Sequence, residues 1–178
     1  MSRRERQVVS VLHIAAVVVA AVGCAFDLST RRIPNALTFG AAAAALAYRA
    51  GSGGLDALGG GVGGWLIGAL VFAVPFLLGG LGGGDVKLLA ALGAWVGPSD
   101  ALWLALYTGV SGGMLAVAVA LANGYLRQAF RNIWLLLCRW RVAGARAVPE
   151  LTLEGSASPK LAYALPILCG TVVTTWMR

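Results

Sequence analysis

Charge is what this chain has least of. Only 12% of its 178 residues are Asp, Glu, Lys or Arg, and just 7 are acidic; a soluble domain carries about 25% charged residues. So little polar surface excludes a water-facing globule. Cysteine is scarce too. Cys24, Cys138 and Cys169 stand far apart with no CxxC pair, which gives no zinc site and no disulfide framework. The single histidine, His13, lies in an apolar run and reads as a packed neutral side chain. The P-loop spacing GxxxxGK[ST] is missing, and no internal repeat or separate soluble domain is evident. In a soluble protein the formal charge of +7 would suggest nucleic acid. Here it reports membrane orientation and contact with anionic membrane lipids, with no nucleic-acid partner.

What the chain does have is apolar length. Hydrophobic residues make up 59% of it and fall into six segments: Val8–Phe26, Ile33–Tyr48, Ala57–Leu78, Val86–Val96, Ala101–Ala122 and Leu161–Met177. A helix rises about 1.5 Å per residue against a hydrocarbon core about 30 Å thick. The first, third and fifth segments are long enough to cross upright. The second and sixth are somewhat short, and the fourth is short enough to be re-entrant instead. The expected fold is therefore all-α, a polytopic membrane protein with about six transmembrane helices in one domain spanning residues 1–178. A second reading of the N-terminus is a signal peptide, since Ala21-Val22-Gly23-Cys24 loosely resembles a lipoprotein cleavage box. The first apolar run is long for a signal core.

Glycine is abundant, with 25 residues. Gly60, Gly64 and Gly68 repeat every four residues, a spacing that lets membrane helices approach closely. Pro75 and Pro166 are expected to kink their helices, and Trp65, Trp95, Trp103 and Trp176 to serve as packing or interface anchors. Asp56 and Asp100 read as helix caps. The one long polar stretch, residues 124–160, holds Arg127, Arg131, Arg139, Arg141, Arg146 and Lys160 against Glu150 and Glu154. Within it "FRNIWLLLCRW" mixes aromatic and aliphatic residues with arginine, the pattern of an amphipathic helix lying on the lipid surface. With six spans and both termini outside, 9 of the 14 Lys and Arg face the cytoplasm, this basic loop included. A re-entrant fourth segment would leave only 4 inside, so the positive-inside rule prefers six spans.

Two aspartates stand out. Asp27, in "FDLSTRRIPNALT", ends the first apolar segment, and Asp85, in "LGGGDVKLLAALGAWVG", follows the third. Two crossings separate them, so parity puts both carboxylates on one membrane face, although they are 58 positions apart. Peptide hydrolysis by water needs such a pair. One ionised acid takes a proton from the water, and one protonated acid polarises the scissile carbonyl. Proximity maintains that state, because two like charges at close range do not both ionise cheaply. The dyad titrates as a unit, which leaves the two roles unassigned at this stage. Gly82, Gly83 and Gly84 leave room for a substrate backbone beside Asp85, and Pro34 can open the second helix. Structural alternatives remain open: Asp85 as an ordinary N-cap, and Asp27 with Arg31 and Arg32 as an interfacial charge cluster.

Together the two stretches resemble a known family. "GGGDVKLLAALGAWVG" resembles the GxGD signature of type IV prepilin peptidases, aspartic proteases of the bacterial inner membrane. "DLSTRRIPNALT" resembles their first-aspartate motif, and "KLAYALPILCG", residues 160–170, their last helix. The resemblance implies an endopeptidase that cuts the short basic leader of prepilin or pseudopilin precursors at the cytoplasmic face, typically just after a glycine. It implies Asp27 and Asp85 as the catalytic pair, Gly82 and Gly84 as loop glycines, and Lys87 as a substrate contact or a helix-end snorkeller. Large members carry a cytoplasmic insert with zinc-binding cysteine pairs and also methylate the new N-terminus. With its first aspartate at position 27, this chain has no room for that insert. It is similar to the short members associated with tight-adherence (Flp-type) pili, so neither zinc nor S-adenosylmethionine is expected as a cofactor. The alternatives are a preflagellin-type peptidase with the same GxGD logic, and a non-enzymatic scaffold or transporter subunit using both aspartates as caps or ion-pathway groups. Oligomeric state is not legible.

Overall fold

The computed structural model describes residues 3–143 and 162–177, and these form helices joined by short turns. In chain order they are α1 (Arg3–Thr30), α2 (Asn35–Leu77), α3 (Gly83–Val96), α4 (Pro98–Ala122), α5 (Leu126–Ala143) and α6 (Ala164–Met177). The protein is an all-α membrane protein. Three stretches, Gln7–Thr30, Asn35–Leu77 and Pro98–Ala122, are long and apolar enough to cross a bilayer, and Ala164–Met177 is a shorter apolar helix. Large apolar side chains such as Ile14, Val18, Leu70, Val74, Leu106 and Met114 are exposed on their outer faces, as lipid contact requires and water does not tolerate over so wide a band. Of the polar stretch read at 124–160, the part from 144 onward lies outside the described residues, as does Leu161.

The second and third apolar segments are joined more tightly than the sequence suggests. They run together as α2, interrupted only at Gly53 (φ −143°) and Gly54 (φ 66°, ψ −152°). That second conformation is one only glycine adopts without strain. The contacts show that the chain reverses there. Before the break, Asn35 meets Lys87 and Arg49 meets Ala94 and Trp95, so this half runs parallel to α3. After it, Gly64 packs on Gly93 and Gly68 on Leu89, so the second half runs antiparallel. α2 is thus a helical hairpin with α3 laid along both limbs.

That arrangement explains the shortness of α3. Every residue from Leu88 to Val96 is buried, with Leu88, Leu89 and Leu92 fully so. A helix apolar all round is a core helix, and α3 is clad in protein instead of lipid. Its 14 residues make a rod of about 21 Å, shorter than the hydrocarbon core. Its ends are therefore received by other elements. At the C-terminus, the half-buried Arg49 guanidinium donates from Nε to the Ala94 carbonyl at 2.8 Å and from a terminal nitrogen to that of Trp95 at 2.6 Å. Those carbonyls have no partner within the helix, and the cation complements the negative end of its dipole.

Small residues set the helix spacing, at two of the three glycines expected. The buried glycines of α2 are Gly61, Gly64 and Gly68, not Gly60. A side-chain carbon at Gly64 would fall on the Gly93 carbonyl oxygen, and one at Gly60 would meet only the Arg49 head group at 3.6 Å. α6 packs against α1 and α4. The Ser111 hydroxyl of α4 donates to the Pro166 carbonyl at 3.0 Å, one of the short polar ties that join helices in an apolar surround. Pro166 occupies the first turn of α6, where no intrahelical N–H is needed, so it starts this helix and does not kink it. Asp100 is in the first turn of α4, with Gly97 at the N-cap, and Asp56 follows the hairpin tip.

Candidate functional site

The turn that follows Asp27 is locally determined. α1 closes with Arg31 in the left-handed region (φ 54°), its N–H donating to the Asp27 carbonyl at 2.9 Å. The Thr30 hydroxyl binds the carbonyls of Phe26 (2.9 Å) and Arg32 (3.0 Å), a local side-chain alternative to further helix. Pro34, extended at φ −62° and ψ 137°, then serves as the N-cap of α2. Its carbonyl accepts from Leu37 and Thr38. Asp27 is thereby fixed one turn before the end of α1, half-buried.

Asp85 is placed by the glycine loop. Gly82 is the N-cap of α3, which puts Asp85 third in its first turn, ahead of the apolar run Val86–Val96. It is therefore not the cap itself. Its carboxylate reaches back to the Gly82 N–H, as the third-position acid of a capping box does. A side-chain carbon at Gly82 would come within 3.1 Å of Asp85 Oδ2, so the glycine leaves the flank of the carboxylate open. A side-chain carbon at Gly84 would meet Ile33 at 3.4 Å, and one at Gly83 the Phe76 ring at 3.5 Å. Lys87 is exposed; its Nζ donates to Asn35 Oδ1 at 3.0 Å and sits 5.6 Å from the Phe39 ring centroid.

Both aspartates lie at the same end of the bundle, each within the other's electrostatic reach. The Asp85 carboxyl is pushed from its ordinary 3.8 to about 6, first by burial and second by the negative charge of Asp27, partly offset by the Gly82 N–H. A third element joins them that the sequence reading did not place there. The first N–H of α6, on Ala164, donates to Asp27 Oδ2 at 3.4 Å. The positive end of a helix dipole thus faces that carboxylate. Tyr163, just before it, stacks edge-on to Phe72 with centroids 6.2 Å apart. Its hydroxyl lies against Gly112. Burial and then the Asp85 charge raise its pKa. The only sequence signal for this element was the "KLAYALP" motif, which marks the helix but not its contact.

The shift at Asp85 has a consequence for stability. The folded chain holds the Asp85 proton more tightly than the unfolded chain does. Stability from this group is full below about pH 4 and is lost as pH rises through about 6. The loss at neutral pH is about 3 kcal/mol. Asp85→Asn should therefore raise the detergent melting midpoint at pH 7.5 relative to wild type, and the gain should vanish at pH 4. An equal shift at both pH values would show that the carboxyl is not perturbed.

Two carboxyls at one end of an apolar bundle, one of them with its pKa raised to about 6, can run general acid–base hydrolysis. The comparisons with known proteins point to a protease. No curated protein and no solved structure matches the chain. Residues 14–117, which carry both aspartates and the glycine loop, match the type IV leader peptidase family. The chain belongs to that family of membrane proteases.

Proposed function

We propose that this protein is an aspartic endopeptidase of the bacterial inner membrane that removes the leader peptide of type IV prepilin or pseudopilin precursors at the cytoplasmic face, with Asp27 and Asp85 as its catalytic pair. Precursors of the Flp type are the expected substrates, as for the short members it resembles. The observation that carries this reading is the coupling of the two carboxyls, from sequence positions 58 apart, at one end of the bundle.

The chemistry follows from the two environments. Asp27 accepts from the first N–H of α6, and Asp85 holds its proton more tightly than an ordinary carboxyl. Asp27 takes a proton from water, whose oxygen bonds to the scissile carbonyl carbon. Asp85 gives its proton to the carbonyl oxygen. As the tetrahedral intermediate collapses, the C–N bond breaks, the amine nitrogen takes the proton from Asp27, and Asp85 recovers its own from the hydroxyl. The products are the leader carboxyl and a new N-terminal amine.

α5 fits the lipid surface beside this site. Phe130, Ile133 and Trp134 are exposed on it. Gly124, Tyr125, Arg127, Gln128 and Arg131 line an open cavity of about 610 Å³ where α5 leaves α4. Such a helix lies in the headgroup plane with arginines toward anionic lipid.

The test is to incubate the purified protein in lipid vesicles with a precursor whose short basic leader ends in glycine, and to read the new N-terminus by mass spectrometry. Cleavage after that glycine is expected. An intact precursor across a panel of such leaders would contradict the proposal.

A further inference from the structure

The two aspartates sit on separate helices, and the structure shows what ties their loops together. Ile33, in the turn after Asp27, packs on Gly84 in the loop before Asp85. Two residues beyond Ile33 and three beyond Gly84, Asn35 Oδ1 accepts from Lys87 Nζ at 3.0 Å. The same ammonium sits over Phe39, one turn along α2, a cation–π geometry. Asn35 is eight positions from Asp27, but the intervening chain is held by the Arg31, Thr30 and Pro34 bonds already described. Lys87 is two positions from Asp85 on a helix whose next residues are fully buried. Each partner is thus rigidly linked to one carboxyl.

We infer that Lys87 and Asn35 form a positioning pair that sets the spacing of the Asp27 and Asp85 carboxyls. Lys87 then contributes to turnover through Asp85 and not by touching the leader peptide. The inference rests on the peptidase reading for its kinetic consequence, but not for its structural one. Both side chains are exposed, so the bond stabilises the fold little; its effect is on geometry. Catalysis is steep in geometry, since a misplacement of about 1 Å can reduce the rate about 100-fold. A bond that contributes little stability can therefore carry a large kinetic effect.

A double-mutant cycle on Lys87→Met and Asn35→Leu tests this. For cleavage per folded molecule, each single variant should lower kcat about tenfold with KM within about twofold. The double variant should be no worse than either single one. Lys87→Arg and Asn35→Asp, which keep the donor and the acceptor, should retain most of the rate. If Lys87→Met instead raises KM at constant kcat, and does so equally with Asn35 present or replaced, Lys87 meets substrate and the inference is overturned. Wild-type kinetics in either single variant overturn it as well. The same cycle read as melting midpoints in detergent needs no activity and should show a coupling of about 2 °C; additive midpoints would show that the bond does not form. Absence of cleavage by the wild type, with that coupling intact, would count against the peptidase reading and leave the pairing standing.

Discussion

Asp85→Asn leaves the chain folded and reduces leader cleavage by about a thousandfold or more, and Asp27→Asn does the same. The reason is protonic. An amide has the shape of the protonated carboxyl but neither gives up nor accepts a proton at the reacting centre, and a positioned acid or base contributes about 100- to 10,000-fold. At position 85 the substitution removes the carboxyl whose pKa burial and Asp27 raise to about 6. At position 27 it removes the carboxyl facing the α6 N-terminus and with it one cause of the shift at Asp85. Cleavage by the wild type should accordingly weaken as pH rises through about 6, where Asp85 gives up its proton. The check is initial rates of precursor cleavage, with folded fraction measured by gel filtration. Retained cleavage in either variant would mean that the carboxyl is a structural cap.

The second large effect is on the scaffold. Gly64→Ala places a methyl group on the backbone of Gly93 and within 2.8 Å of the Gly97 carbonyl carbon. Backbone cannot step aside as a flexible side chain can, so the α2 hairpin and α3 must separate along the buried face that positions Asp85. Overpacking of this kind costs about 1–3 kcal/mol, or about 2–12 °C in melting midpoint for a chain of this size. Gly59→Ala is the matched control. It lies on the same helix with nothing within 4 Å of the added carbon, and should be neutral or slightly stabilising, because alanine favours helix over glycine. Equal losses at both positions would show that the close approach at Gly64 does not hold the hairpin on α3.

The candidate site was more legible in the sequence than the fold around it. Parity alone brought Asp27 and Asp85 to one face, because counting crossings needs no knowledge of packing. The glycine loop and Pro34 were legible for the same local reasons. The nature of the fourth segment was not. Length measured against a lipid bilayer is the wrong comparison for a helix such as α3, which is sheathed in protein and received at one end by Arg49. The reversal between the second and third segments followed from the same count; what composition did not show is that only Gly53 and Gly54 interrupt an otherwise continuous helix there. Of the three glycines expected at the close approach, Gly64 and Gly68 are there, and Gly61 is buried in place of Gly60, because a four-residue repeat drifts around a helix of 3.6 residues per turn. The meeting of Ala164 with Asp27 joins residues 137 positions apart. It depends on where α6 docks, which no local pattern encodes.

The most direct measurement compares wild type, Asp27→Asn, Asp85→Asn and the double variant on one precursor in lipid vesicles. If the two carboxyls act as a single device, wild type cleaves after the leader glycine and all three variants fall to a common background, the double no lower than the singles. A single variant that still matures the precursor, or a double variant whose loss is the product of two partial ones, would contradict the account.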